Sequence, residues 1–261
     1  MATVVSSGPP AGDLPGAVAA NSHGVALLLI QVTWRESSDQ DRSSAPGVTL
    51  YVPPGQSLAL HGKAPGDAAE LLDVIAGLRR PISGQVGVDG VEVGPLSGQA
   101  RDRYRLGFGL LSPRFPLVPS LSAVDNVLAE PPDGHPDTAT RERAVQLLAT
   151  TGVAQLAGPV GDVSPEQQWR ILIARALRSS PRLVLAEDPT PGLDSPGATA
   201  ILDLLTDLHA QLGFTLLLAV TKLATASRCQ RLIRLASGIV VEDILISGDD
   251  PWTRGRVDRI G

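Results

Sequence analysis

The stretch Leu58–Leu78, LALHGKAPGDAAELLDVIAGL, constrains the rest of the chain most. It reads as a short buried strand (Leu58–Leu60), a Gly-rich loop, then a helix with apolar positions Leu71, Leu72, Ile75 and Leu78. A strand–loop–helix of this kind turns backbone N–H groups and a helix N-terminus toward an anion. The phosphate-holding pattern for such a loop is G-x-x-x-x-G-K-[ST]. Laid from Gly62, the chain gives Gly62-Lys63-Ala64-Pro65-Gly66-Asp67-Ala68-Ala69. Asp67 stands where the second glycine belongs, Ala68 where the lysine belongs and Ala69 where the Mg²⁺-binding hydroxyl belongs. The loop keeps its shape and loses its chemistry. Lys63 lies on the strand side of the loop, five residues early, and is a poor substitute.

A chain of 261 residues fits one large α/β domain, or a domain with a subdomain. A formal net charge of −5 argues against a sequence-blind nucleic-acid binder. The single cysteine, Cys229, excludes an intramolecular disulfide and fits a reducing compartment. No apolar run approaches the ~20 residues that span a bilayer. His23, His61, His135 and His209 are scattered without ligand spacing, so no metal site is read from them.

Along the chain, 1–24 is rich in Ala, Gly, Pro and Ser and reads as an extension. Strands are expected at Val25–Val32, Val48–Val52, Ser57–Leu60 and Leu106–Leu111, and a hairpin over Gln85–Val93 closed by Asp89-Gly90. From Ser112 to about residue 178 helices dominate: a capping box Ser122-x-x-Asp125, an amphipathic helix Thr140–Thr151, and a long helix Pro165–Leu177. A strand Leu183–Ala186 follows, then a helix Pro196–Leu212 with Ser195 as its N-cap. The strand Phe214–Val220, a short helix Ala224–Arg231 and strands Leu232–Leu235 and Ile239–Val241 complete the pattern, with 246–261 as a tail. Strands alternating with helices argue for a mostly parallel sheet.

Several stretches together resemble the ATP-binding cassette (ABC) ATPases, over roughly Val25 to Glu242. Leu71–Gly90, LLDVIAGLRRPISGQVGVDG, resembles the segment after that family's phosphate loop. Ile173–Leu177 (IARAL) and Leu183–Asp194 (LVLAEDPTPGLD) resemble its post-signature helix, Walker B strand and D-loop, and Leu235–Val240 (LASGIV) its closing hairpin. Leu117–Val127, LVPSLSAVDNV, is most similar to the branch serving lipoprotein release, macrolide export and cell division. The resemblance implies an α/β P-loop NTPase (RecA-like) fold over 25–245: a mostly parallel core sheet, an antiparallel β subdomain and a helical subdomain inserted at about 112–178. It implies ATP with Mg²⁺ as ligand, a transmembrane permease subunit and a second cassette subunit as partners, and a cytoplasmic place on the inner face of the membrane.

The same alignment shows departures at the chemical positions. Besides the altered Walker A residues, no Q-loop glutamine lies near Leu111–Pro113. The signature Leu-Ser-Gly-Gly-Gln corresponds to Val163-Ser164-Pro165-Glu166-Gln167. The Walker B acids are inverted to Glu187-Asp188, the switch histidine is Lys222, and only the D-loop Asp194 is intact. Trp34 is the candidate for stacking on adenine. Alanine at the Walker A lysine neutralises no phosphate charge, and Asp67 adds a like charge. Asp67-Ala68-Ala69-Glu70 and Ser164-Pro165-Glu166-Gln167 both read as capping boxes, which would stabilise these helix starts without an anion. Asp188 is one methylene short for a base, and the Lys222 ammonium can only donate hydrogen bonds. An ion pair from Lys222 to Glu187 or Asp188 is one expectation. The leading expectation is a degenerate cassette subunit, a pseudo-ATPase that supports or regulates a membrane complex, pairs with an active cassette subunit and binds no cofactor tightly, with weak binding of ATP and Mg²⁺ left open. A slow but genuine ATPase and a non-transport scaffold of cassette fold are the alternatives. Phe115, Leu117 and Val118 are the expected docking stretch for a membrane subunit.

Overall fold

The computed structural model describes residues 23–34, 47–63, 66–128 and 137–246. The N-terminal extension up to residue 22, the tail from 247, His135, Ala64 and Pro65 lie outside the described residues.

In chain order the elements begin with β1 (Leu27–Thr33), β2 (Val48–Val52), β3 (Ser57–Gly62), α1 (Asp67–Ile75), β4 (Ser83–Val88) and β5 (Val91–Glu92). They continue with α2 (Gly98–Leu106), β6 (Phe108–Leu111), α3 (Ala123–Leu128), α4 (Thr138–Thr150) and α5 (Pro165–Leu177). The last are β7 (Leu183–Glu187), α6 (Ser195–Leu212), β8 (Thr215–Val220), α7 (Leu223–Ala226), β9 (Arg231–Ala236) and β10 (Ile239–Leu245).

The central sheet has the order β10-β9-β3-β8-β7-β6. Pairs β9·β3, β3·β8, β8·β7 and β7·β6 are parallel, and β10 closes the edge antiparallel to β9. Both faces of this sheet are covered, so β3, β7 and β8 are apolar almost throughout, unlike β1 and β2. β1 and β2 alternate buried and exposed residues and belong to a separate antiparallel sheet, β2-β1-β4-β5. Asp89 and Gly90, at φ 51° and 78°, make the β4–β5 hairpin turn that the Asp-Gly pair predicts.

Three apolar clusters hold these layers. The first packs the antiparallel sheet and α1 on the central sheet through Leu27, Leu29, Leu58, Leu71, Ile75 and Leu185. The second covers the opposite face with α5 and α6, around Ile173, Ile201, Leu205 and Phe214. The third joins α3 and α4 to α5 through Val127, Ala144, Leu148 and Ile171. Helix α5 contributes to the second and third clusters, with Trp169 buried in the second. It therefore couples the helical region to the sheet.

Three local expectations are corrected. Helix α6 starts one residue earlier than the Ser195 cap implies. Its N-cap is Asp194, whose carboxylate accepts from the Gly197 N–H at 2.8 Å. The expected helix Ala224–Arg231 shrinks to Leu223–Ala226, because Arg231 pairs with Leu58 and Leu245 in the sheet. The strand expected from Leu106 begins at Phe108, since Leu106 ends α2.

Candidate functional site

The C-terminal ends of parallel strands and the helix starts that follow them are where such a fold places its ligand. At the end of β3, the Lys63 N–H donates to the Leu235 carbonyl at 2.8 Å, pinning the loop to β9, and the residue is exposed. Gly66 takes a left-handed φ of 86° and is the N-cap of α1, with no side-chain cap bond. The capping box expected at Asp67 does not form. Because Gly66 makes the turn, Asp67 is displaced to the first helical position, 0% exposed and engaged in an interaction of its own. Two acids, Asp67 and Glu70, thus lie in the first turn, where the helix dipole favours negative charge. Ala68 is buried, and Glu70 pairs with Arg79 at 3.3 Å.

The end of β7 carries the two acids singled out in the sequence. Glu187 Oε2 accepts from the Ser112 hydroxyl at 2.5 Å and from Arg114 Nε at 2.9 Å. The same guanidinium reaches α1, donating from Nη1 and Nη2 to the two oxygens of Asp73 at 2.8 and 2.7 Å. This fork is the strong geometry for an arginine–carboxylate pair. The Arg114 pKa is raised, first by its hydrogen bond with Asp73 and also by Glu187. Ser112 and Arg114 occupy the segment just after β6, where the resemblance expects a glutamine.

Asp188 is 5% exposed, and both of its oxygens are occupied. Oδ1 accepts from the Thr190 N–H at 3.0 Å and from its hydroxyl at 2.6 Å. Oδ2 accepts from the Thr221 N–H at 3.0 Å and from the Thr221 hydroxyl in a short contact. The carboxylate ties the loop after β7 to the end of β8. With all four acceptor positions filled, it has none left for a water proton.

Lys222 is exposed at the start of α7, and among the described residues it pairs with neither Glu187 nor Asp188. The expected ion pair fails because Arg114 and the two threonines already hold those acids. Trp34 is also corrected as an adenine platform. It is 3% exposed within the first core cluster, and stacking on a base needs a free ring face.

At the signature position the expected capping box is present. Ser164 Oγ accepts from the Gln167 N–H at 3.2 Å, and Gln167 Oε1 accepts from the Ser164 N–H at 2.9 Å. Pro165 contributes no donor, and Glu166 turns to Arg170 at 2.8 Å. Gly62 and Gly66 frame the loop, while Ser164, Gln167 and Asp194 spend their polar atoms on helix starts α5 and α6.

These residues do not fit a magnesium–nucleotide. Ala68 and Ala69 supply neither ammonium nor hydroxyl. The acid that would face the metal already bonds a guanidinium. A divalent ion about 4 Å from that charge would meet about 8 kcal/mol of repulsion at an intermediate effective dielectric, less after solvent screening of half-exposed Arg114. Sequence reasoning missed Arg114, Ser112, Asp73, Thr190 and Thr221. Only Thr190 had a local signal, the Asp-x-Thr spacing of a side-chain turn.

Comparison with known proteins gives consistent matches. The model of the ABC transporter family matches residues 46–191. The lipoprotein-releasing system ATP-binding protein LolD of Paramagnetospirillum magneticum is 32% identical over 225 residues, covering 85% of this chain and 99% of the relative. The phosphonates import ATP-binding protein PhnC of Rhizobium etli is 35% identical over 208 residues, covering 75% of this chain and 74% of the relative. Among solved structures, a post-hydrolysis dimeric ATP-binding cassette bound to ADP and Pi superposes with TM-score 0.72 at 25% identity, covering 85% of this chain and all (100%) of that one.

Proposed function

The chain belongs to the ABC transporter family of ATP-binding domains, and on that premise we propose that it is a pseudo-ATPase subunit of a membrane complex. In this reading it docks under a transmembrane permease and pairs with a second cassette subunit that keeps its catalytic residues. The observation that carries the reading is the carboxylate of Asp188. The position that should hold the catalytic base gives all its acceptor capacity to Thr190 and Thr221. Asp67, Ala68 and Ala69 remove the phosphate and metal contacts, and Ser164, Gln167 and Asp194 serve their own helices. Glu187 and Asp188 then have structural roles, and the exposed Lys222 takes no part in the site. The lipoprotein-releasing ATP-binding protein is among the relatives, which supports an assembly of that kind.

Docking to a membrane subunit has its own support. Phe115 and Val118 are 42% and 49% exposed. Phe115 also borders an apolar cleft of about 150 Å³ with Leu78, Phe108, Leu110 and Leu185. Among the described residues no helix is long and apolar enough to cross a membrane, so in this reading contact with the bilayer runs through a partner.

The test is titration of the purified chain with a fluorescent ATP analogue and Mg²⁺ to millimolar concentration. The Asp67→Gly/Ala68→Lys/Ala69→Ser triple variant serves as the positive control. The reading expects no saturable binding by the native chain and restored binding by the variant. Binding with turnover by the native chain would establish the slow-ATPase alternative instead.

A further inference from the structure

We propose that Arg114 is a tethered cation that holds Glu187 in place of a divalent metal, so that this chain keeps its β7 acid organised without any ion from solution. The inference deepens the pseudo-ATPase reading and rests on it. In a working site of this family, the acid ending this strand is held by Mg²⁺. Here Glu187 Oε2 receives Arg114 Nε at 2.9 Å and the Ser112 hydroxyl at 2.5 Å. The rest of the guanidinium is not left to solvent. Its two terminal nitrogens clasp Asp73 on α1 at 2.8 and 2.7 Å.

Ser112 fixes the base of the arginine. Its hydroxyl, on a residue 1% exposed, accepts from the Arg114 backbone N–H at 3.2 Å and from Nε at 3.3 Å. One side chain therefore links three separate elements: α1, the segment leaving β6, and β7. A metal would link them only while bound, whereas a guanidinium cannot dissociate and does not lose its charge at accessible pH. The placement is self-consistent in charge. Two carboxylates that would repel each other face one cation between them, and the fork geometry suits arginine rather than lysine.

The experiment is Mn²⁺ uptake by the full chain, followed by electron paramagnetic resonance, with melting curves on the same samples. The native chain and Arg114→Lys are expected to leave Mn²⁺ free through the millimolar range. Arg114→Gln, which removes the charge and leaves both acids, is expected to take up one Mn²⁺ at least tenfold more tightly than the native chain. That gain should vanish in Arg114→Gln/Glu187→Gln. Uptake by the native chain that Glu187→Gln abolishes would overturn the proposal, as would a folded Arg114→Gln that gains nothing. Should Arg114→Gln unfold, Arg114→Lys decides: a lowered melting temperature with no uptake supports the proposal, and Glu187-dependent uptake refutes it. ATP turnover by the native chain would sink the pseudo-ATPase reading. Glu187-dependent Mn²⁺ uptake without turnover would sink only the assignment of Arg114.

Discussion

Replacing Asp188 by alanine separates a structural acid from a catalytic one. The native carboxylate accepts from two backbone N–H groups and two hydroxyls at a site 5% exposed. After Asp188→Ala the Thr190 and Thr221 hydroxyls can rotate toward other partners, but their backbone N–H groups cannot. Both hydrogen bonds are only part-buried, with Thr221 exposed and Thr190 half-buried, so water takes up part of the loss and each orphaned donor costs about 1 kcal/mol, the low end of the range for a buried one. Two of them cost about 2 kcal/mol. For a chain of this size that corresponds to a melting temperature lower by roughly 4–8 °C. Asp188→Asn keeps an oxygen for Thr190 but turns an amide donor toward the Thr221 N–H, so about half that loss is expected. Differential scanning calorimetry of the three proteins reads the effect directly. A melting temperature for Asp188→Ala within about 2 °C of native would refute the assignment, because an acid kept only for chemistry contributes little to stability.

Three further outcomes are expected. Ser164→Ala removes one half of the α5 capping box and should cost about 1 kcal/mol, read as a melting-temperature drop of roughly 2–4 °C. His209 packs edge-on against Phe214, and its Nε2 bonds the Gly55 carbonyl at 3.0 Å; burial lowers its pKa from the ordinary 6.5. The unfolded chain then binds the proton more readily, so stability from this group is full above pH 6.5 and declines as pH falls below it; melting curves from pH 7 to pH 5 should show a decline that His209→Gln flattens. Cys229 is buried, and burial pushes its thiol up to about 12, so a thiol reagent at pH 8 should label it only after denaturation.

The fold was legible because its signals are local or periodic. Apolar runs gave β3, β7 and β8, Asp89-Gly90 gave the hairpin, and Ser164-Pro165 gave the start of α5. Helix α2 was missed because GQARDRYRL buries no residue, so no apolar stripe marks it. It is held by Tyr104 and Arg105, which donate to the Ile75 and Gly77 carbonyls at 2.7 Å. The start of α1 was misread for a backbone reason. Gly66 can take φ 86° and so becomes the cap, which moves Asp67 inside the helix. The departures from the family's motifs were read one by one along the sequence. Their new partners were not, since Arg114 meets acids 41 and 73 residues away and Asp188 meets a threonine 33 residues on. No sequence window spans such pairs.

The three places where a nucleotide would meet this fold are settled internally by different physics. At α5 a capping box takes up the Ser164 and Gln167 N–H groups, so an arriving phosphate would have to displace bonds already made there. At the end of β7 the acids are matched by a guanidinium and by hydroxyl and amide donors. At α1 no side chain caps the helix, and its first turn carries two acids, Asp67 and Glu70, the latter paired with Arg79. Of the three, α1 is therefore the place where a change of side-chain charge should most readily readmit an anion. A protein that relies on ligand for stability gains it only as ligand concentration exceeds the dissociation constant. Here the matching charges and donors are covalently part of the chain, so the cassette frame they support does not depend on a ligand from solution.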